Sequence, residues 1–137
     1  MARDKFHQEV RQALVKGGWT ITDDPLYIKV GKIPIHIDIG AEKFIGAEKE
    51  GQKIAVEVKT FGRASFVTAF HEAVGKYIVY RSILAYILSD RGIYLALPED
   101  TYREFGEEPI VKSVFAEYKF KLLIYEPITQ SITSWID

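Results

Sequence analysis

Two short stretches of the chain alternate strictly between apolar and polar residues, and this period of two constrains the fold more than any other feature. In Ile33–Ile39 every second residue is isoleucine, and three of the positions between are Pro34, His36 and Asp38. In Ile54–Lys59 the apolar set is Ile54, Val56 and Val58, and the other set is Ala55, Glu57 and Lys59. Because successive side chains of a strand point to opposite faces, both stretches are predicted to be β-strands.

Helical spacing and turn residues predict the other elements. Apolar residues recur at i, i+4, i+7 and i+8 in Asp4–Lys16, and the glycines at 17 and 18 supply a helix stop. A long helix, apolar nearly all round, is predicted from a cap at Ser65 to about Leu88. Further elements are short extended pieces at 19–22 and 26–30, a strand at 93–97, a helix at 109–118 and a strand at 120–125. Residues 40–52 are predicted to be an exposed connection or a loose hairpin, and 127–137 are unassigned.

The bulk properties indicate one folded domain. The 137 residues include 47% apolar and 27% charged residues, which is ordinary globular composition, and we treat 1–137 as a single domain. There is no cysteine, so disulfides and thiolate metal sites are excluded. The charged N-terminus lacks the apolar core of a signal peptide, and the most apolar stretch, 77–88, is shorter than the roughly 20 residues that span a bilayer. We expect a cytoplasmic protein without a membrane partner.

Asp38, Glu57 and Lys59 form the candidate catalytic site. Glu57 and Lys59 project from one face of their strand, and Asp38 joins them if the two alternating strands pair. Two carboxylates and a backbone carbonyl such as that of Val58 can hold Mg²⁺ or Mn²⁺ through oxygen ligands. A lysine beside the metal can orient or deprotonate water that attacks a phosphodiester. The spacing, Asp-x18-Glu-x-Lys, is the PD-(D/E)xK arrangement of nucleases.

The order of elements favours the same interpretation. Helix, three strands, helix and strand form the αβββαβ core of restriction-endonuclease-like domains, so the predicted fold class is α/β, a mixed central sheet flanked by helices. Glu9 lies at the margin of the apolar stripe of the first helix. It is therefore a candidate fourth carboxylate at the metal, although a surface glutamate is an equally good interpretation.

Several longer segments resemble a known family. DKFHQEVRQALVKGGWTITDDPL, KIAVEVKTF, FHEAVGKYIVYRSIL and DRGIYLALPEDTYREF closely resemble the XisH family, which is named for a cyanobacterial excision controlling factor of the fdxN element. The resemblance covers residues 3 to about 105. It implies a role in excising a DNA element, beside a site-specific recombinase and a small partner called XisI, and it carries the site residues over to Glu9, Asp38, Glu57 and Lys59.

Two positions depart from the nuclease pattern. Ile37 replaces the proline that usually precedes the first aspartate. On the long helix, Lys76 stands where related nucleases often carry the glutamine of Gln-x-x-x-Tyr, with Tyr80 in register. Lysine can contact phosphate as a point charge but cannot accept a hydrogen bond as an amide does. Lys76 and Tyr80 are therefore candidate DNA contacts.

Two functions of different classes remain open, beside a third interpretation as a generic α/β ligand-binding domain. The first is a Mg²⁺-dependent DNA endonuclease, favoured by the intact trio. The second is a catalytically quiet nuclease-like domain that binds a protein partner and controls a recombinase, favoured by Lys76 and by a formal net charge of -1. A homodimer is considered by analogy, since two cuts need two sites. His7, His36 and His71 receive no catalytic assignment, and Tyr77 is assigned to the core.

Overall fold

The computed structural model describes residues 6–24, 26, 32, 44–59, 61, 66–87 and 90–137. Its helices are α1 (His7–Lys16), α2 (Phe66–Ile87), α3 (Glu99–Phe105) and α4 (Pro109–Glu117). Its strands are β1 (Thr20–Asp23), β2 (Phe44–Lys49), β3 (Gln52–Val58), β4 (Arg91–Pro98), β5 (Leu122–Glu126) and β6 (Ser131–Ile136). No helix within these ranges is long and apolar enough to cross a membrane.

The six strands form one mixed sheet in the order β1-β2-β3-β4-β5-β6. The central pairs β3–β4 and β4–β5 are parallel, and the three outer pairs are antiparallel. Parallel neighbours need a crossover connection, which α2 provides between β3 and β4, and α3 with α4 provide between β4 and β5. This α/β architecture is consistent with the restriction-endonuclease-like fold that the order of elements predicted.

The strand β3 separates two apolar cores because its side chains alternate between the two faces of the sheet. On one face, Ile54, Val56 and Val58 pack with Val10 and Leu14 of α1. On the other face, Ala55 packs with α2 residues that include Ala73, Tyr77, Tyr80 and Leu84. We call these the α1 core and the α2 core. Tyr77 is fully buried, as assigned, and its hydroxyl donates to the carbonyl of Ile93 and accepts from the amide of Lys121.

Two expectations from sequence were wrong. Residues 44–49 are not an exposed connection but strand β2, in which Ile45 and Ala47 are fully buried. Consequently the antiparallel partner of β3 is β2, and β4 takes its other edge, so β3 has no free edge for a direct pairing with 33–39. The predicted strand at 33–39 lies outside the described residues.

The end of the chain also carries more structure than the sequence indicated. The unassigned tail contains β6, which pairs with β5 and places Trp135 against Trp19, with ring centroids 5.6 Å apart and the rings tilted by 39°. The helix α3 was not predicted. The other helices and the strands at 54–59, 93–97 and 120–125 are confirmed, with shifted ends.

The hairpin between β2 and β3 closes through only two residues. Lys49 pairs with Gln52, and Glu50 and Gly51 between them have positive φ angles of 52° and 83°. Positive φ at both central positions defines the type I′ turn, which suits glycine and asparagine but strains a glutamate. The usual Asn-Gly or Asp-Gly signal is therefore missing here, which explains why the sequence indicated a loose hairpin only as an alternative and did not place its turn.

We expect substitutions in this turn to change stability in opposite directions. Glu50→Asn should raise the free energy of unfolding by roughly 0.5–1 kcal/mol, and Gly51→Ala should lower it by about 1–2 kcal/mol, because asparagine tolerates this backbone and alanine does not. Urea unfolding measures both. Gly92→Ala is the matched control, since an added Cβ meets nothing within 4 Å at Gly51 or Gly92, and only Gly51 has positive φ. Equal losses at both glycines would contradict the turn assignment.

Candidate active site

Glu57 is a fully buried carboxylate near the carboxyl end of the central strand. It is 0% exposed and stands between Phe44 of β2 and Leu95 of β4 in the strand register. Alternation along β3 directs its side chain to the same face as Ala55, toward α2. Glutamate is almost never fully buried unless it is paired, because removing the charge from water is costly. A carboxylate in this place therefore indicates a site built around charge.

Lys59, two residues later, joins a short chain of charges on α2. Its ammonium nitrogen lies 3.3 Å from Oε1 of Glu72, and the ammonium nitrogen of Lys76 lies 3.0 Å from the same oxygen. The Lys59 side chain is only 12% exposed, whereas Glu72 is 46% exposed. Glu72 thus links the predicted catalytic lysine to the lysine that we considered as a DNA contact.

The two ammonium groups lower the pKa of Glu72. The hydrogen bond from Lys76 is the largest cause, and the charge of Lys59 acts in the same direction, while partial burial opposes both. Glu72 is consequently ionised at neutral pH and holds both cations. Since nearly half of this side chain is exposed, solvent screens the interaction, and its main effect is to orient the lysines.

The aromatic residues next to the site are core residues. Burial raises the pKa of Tyr77 above its usual range, and the negative charge of Glu57 contributes in the same direction, which indicates that Glu57 approaches α2. Tyr80, a candidate DNA contact, is 8% exposed and belongs to the α2 core. Its ring therefore offers little surface for a base.

The other residues that the sequence suggested as metal ligands are not found beside Glu57 among the described residues. Asp38 and His36 lie outside the described residues, so their relation to Glu57 stays a prediction. Glu9 is half-buried on α1, which packs on the face opposite to Glu57. The described residues contain no group of three or more histidine, aspartate or glutamate side chains that could hold a metal ion. Within the described part, only Glu57 and the carbonyl of Val58, next to it in the chain, remain at one place as predicted ligands.

His7 has a structural role, as the sequence suggested. His7 is 1% exposed, and its Nε2 lies 2.8 Å from Oδ1 of Asp24. Asp24 also accepts a hydrogen bond from Arg11, at 2.6 Å. This arrangement ties α1 to the end of β1. His71 is exposed on α2.

Comparisons with known proteins agree with this architecture. The sequence model of the XisH family, described as XisH protein, matches residues 1–133. The chain belongs to the XisH family. Its fold is similar to the crystal structure of an fdxN element excision controlling factor protein from Anabaena variabilis, with 43% identity over 96% of this chain and 98% of that one and a TM-score of 0.89.

A second solved structure supports the same assignment. An XisH family protein from Nostoc punctiforme is 44% identical over 98% of this chain and 100% of that one, again with a TM-score of 0.89. Both of these solved proteins come from cyanobacteria. No curated protein matches this XisH chain.

Sequence reasoning missed Glu72, the residue that joins the two lysines. A signal was present, since glutamate four residues before lysine on a helix forms a favourable pair, and Glu72 and Lys76 have this spacing. The additional contact with Lys59 could not be read from sequence, because it depends on how α2 crosses β3.

We expect the pKa of Glu72 to report this arrangement. Lys76→Ala should raise it, and the double variant with Lys59→Ala should raise it above its ordinary value, because burial is then left without the two cations. Carbon-13 NMR titration of the carboxylates measures the change. In the wild type, the lowered pKa of Glu72 contributes stability that is fully present above the pKa of this carboxyl in the unfolded chain. That stability is lost as pH falls through the lower pKa of the folded state. In Lys76→Ala, the free energy of unfolding should therefore fall less steeply as the solution is acidified.

Lys112→Ala is the matched control for this titration. Lys112 of α4 forms an exposed pair, at 3.2 Å, with Glu107 in the turn before this helix, well separated in sequence from the site. Removing it should leave the Glu72 resonance unchanged. A Glu72 titration that ignores Lys76→Ala but responds to Lys112→Ala would refute the proposed pairing.

Proposed function

We propose that this XisH chain is a divalent-metal-dependent DNA endonuclease that acts in the excision of a DNA element. The observation that carries the proposal is the pair of Glu57 and Lys59 on one face at the carboxyl end of β3, with Glu57 fully buried. The solved relative from Anabaena variabilis is named as an excision controlling factor, and the function of this chain is proposed by that kinship. Its place of action would be the cytoplasm.

The donor chemistry at the site fits Mg²⁺ or Mn²⁺. We propose Glu57, Asp38 and the carbonyl of Val58 as ligands, and all of these present oxygen, which hard divalent cations prefer. Glu9 is left out, because α1 packs on the face of the sheet opposite to Glu57. When bound, the ion would supply positive charge to the phosphodiester and make water more acidic. The acidic side chains alone cannot do this, since two carboxylates repel a phosphate.

Lys59 would handle the proton and charge of the attacking water. Its ammonium nitrogen lies 3.3 Å from Glu72, and the Lys59 side chain is only 12% exposed, so the lysine is oriented before DNA arrives. A fixed cation of this kind stabilises charge that develops in the transition state without further reorganisation. Glu72 is a positioning residue in this scheme, and Lys76 would place a second cation next to the DNA backbone.

A catalytically quiet regulator remains the second candidate, and the contact of Lys76 favours it. The Lys76 ammonium lies 3.0 Å from Glu72, which offsets part of the charge that a phosphate contact would use. In this alternative the chain binds a small protein partner of the XisI type and controls a recombinase. The two candidates differ in one measurable property, which is cleavage of DNA.

We expect purified protein to cleave duplex, nicked or branched DNA in the presence of Mg²⁺ or Mn²⁺. Asp38→Ala and Glu57→Gln should reduce cleavage to background, because the ligand charges are lost. Lys59→Ala should slow it by about 10²-fold or more with little change in DNA affinity, since proton handling rather than binding is removed. Single-turnover assays with labelled DNA measure the rates.

Lys53→Ala is the matched control for Lys59. Lys53 lies on the same face of the same strand but at its other end, where it is 41% exposed and pairs with Asp90 at 3.5 Å. This variant should cleave as the wild type does. If the wild type cuts no DNA, alone or with its partner protein, the endonuclease proposal fails and the regulator takes its place.

Metal binding gives a readout that does not depend on activity. Calorimetry should show Mn²⁺ binding to the wild type, with affinity reduced at least about tenfold in Glu57→Gln, and the metal should raise the melting temperature of the wild type but not that of Glu57→Gln. Glu117→Gln, an exposed carboxylate at the end of α4, is the control. Equal Mn²⁺ affinity in both variants would remove Glu57 from the metal site.

A further inference from the structure

A cavity of about 220 Å³ at the amino end of β4 is lined by positively charged residues. It lies between the C-terminal half of α2 and the residues that precede β5, and its charged lining residues are Arg81, Arg91, Lys119 and Lys121. None of the described residues that line it is acidic. The whole chain has 18 basic and 19 acidic residues, so its composition does not explain this local excess. We call it the basic cavity.

The two arginines of the basic cavity are oriented by backbone carbonyls. Arg81 donates hydrogen bonds to two carbonyls just after α4. Arg91 donates to the carbonyl of Ile54 at 2.6 Å, and a carboxylate oxygen of Asp23 lies 3.8 Å from its other terminal nitrogen. A neutral carbonyl holds a guanidinium in place without cancelling its charge, and further N–H donors remain for a ligand. Arg81 therefore brings a fixed positive charge to the cavity, whereas Asp23 offsets part of the charge of Arg91.

Lys119 occupies a backbone position that normally belongs to glycine. Its φ is 54°. Its amide donates to the carbonyl of Ala116, and the next amide, of Phe120, donates to the carbonyl of Phe115, which is the Schellman ending of α4. A residue with a Cβ is strained in this left-handed conformation, whereas glycine adopts it freely. A lysine here indicates a use for its ammonium group, because strained positions concentrate at functional sites.

The end of α4 explains part of this arrangement. Cations near the C-terminus of a helix stabilise it through the helix dipole, which accounts for the contacts of Arg81 and suits Lys119. It does not account for Lys121, which follows the Schellman ending, or for Arg91, which begins β4. Cations from α2, from β4 and from the segment between α4 and β5 therefore meet at one cavity, which is more than one helix end requires.

A second and larger cavity, of about 510 Å³, shares Lys119 and Lys121 with the basic cavity. Its other walls are mainly apolar, and they include Tyr102, Phe115, Leu122 and Ile136. Two further charged residues line it, Lys112 and Asp137. Cavities of roughly 300–1,000 Å³ with apolar walls and a few polar groups are typical of small-ligand sites. We call it the apolar cavity.

We propose that the two cavities together bind a nucleotide, with its phosphate in the basic cavity and its base in the apolar cavity. Phosphate oxygens accept hydrogen bonds, and Arg81, Lys119 and Lys121 all donate them from a positive charge. A base has apolar faces that pack against aromatic and aliphatic walls. The nucleotide is either free or one unit of a single DNA strand, since both carry the two groups that the cavities fit.

This nucleotide site is separate from the proposed catalytic residues. Glu57 lies near the carboxyl end of β3, whereas Arg91 begins the parallel neighbour β4 at its amino end. In the strand register Arg91 stands beside Lys53, at the other end of β3 from Glu57. The inference therefore does not rest on the endonuclease proposal, and the binding should need no divalent metal.

Calorimetry in the presence of EDTA tests the site. The wild type should bind at least one of dAMP, dGMP, dCMP and dTMP more tightly than inorganic pyrophosphate, because only a nucleotide fills both cavities. Lys119→Gly should weaken nucleotide binding at least about tenfold, since a charged hydrogen-bond donor is lost. Lys119→Arg should retain it. In thermal melting, Lys119→Gly should be at least as stable as the wild type, because glycine relieves the positive φ.

Gln130→Gly is the matched control for Lys119→Gly. Gln130 also has a φ of 54°, in the turn before β6, and it lines neither cavity. Glycine should relieve the same backbone strain here as at Lys119. This variant should bind the nucleotide as the wild type does, so that a loss in Lys119→Gly is assigned to the ammonium group.

Ala116→Phe tests the apolar cavity separately. Ala116 is exposed on α4 and lines this cavity, so a larger side chain takes up its space without entering the core. The variant should lose affinity for the nucleotide and keep the wild-type affinity for pyrophosphate.

A single-stranded oligodeoxynucleotide, also titrated in EDTA, distinguishes the two sources of the nucleotide. Tighter binding than that of every mononucleotide identifies a DNA strand as the ligand, and weaker binding identifies the free nucleotide. Three results would overturn the proposal. Neither the mononucleotides nor the strand binds more tightly than pyrophosphate, Lys119→Gly binds as tightly as the wild type, or Ala116→Phe leaves the nucleotide affinity unchanged. The cations would then serve only to stabilise the end of α4.

Discussion

The rest of the structure depends on the complete enclosure of β3. Both edges of this strand are hydrogen-bonded, to β2 and to β4, and its valines and Ala55 fill cores on both faces. A strand held in this way cannot slide or rotate, so the side chains at its carboxyl end are fixed in place. The fold buries the carboxylate of Glu57 at this end of the strand. An ionised carboxylate inside a protein costs several kcal/mol unless charges or hydrogen bonds compensate it.

The helix α2 contributes to an apolar core on one side and to a group of charged residues on another. Its inner side fills the α2 core, and the flank near its N-terminus carries Glu72 and Lys76 toward Lys59. Because one rigid helix spans both regions, the packing of its inner side also fixes where Glu72 and Lys76 lie relative to Lys59.

Much of this could be predicted from the sequence, and the failures have definite causes. The period of two in Ile54–Lys59 predicted the strand and its two faces, and it placed Glu57 and Lys59 on the same face. The strand β2 was missed because Gly, Glu and Lys in that region suggest exposure, and because Glu50 occupies a turn position that normally holds asparagine. The strand β6 was missed because its residues are only partly buried and lack clear alternation. Glu72 joined the site through a tertiary contact that no local pattern records.

The alternation of β3 also limits how this chain can change in length. Loss of one codon between Lys53 and Glu57 would exchange the two faces of the strand end, sending a carboxylate and an ammonium into the α1 core and valines toward α2. The packing of both cores and the ion pair between Lys59 and Glu72 would be lost together. Evolution can therefore lengthen or shorten exposed connections, such as the turn at 127–130, while the strand keeps its residue count. The number of residues in β3 therefore decides which core each of its side chains enters.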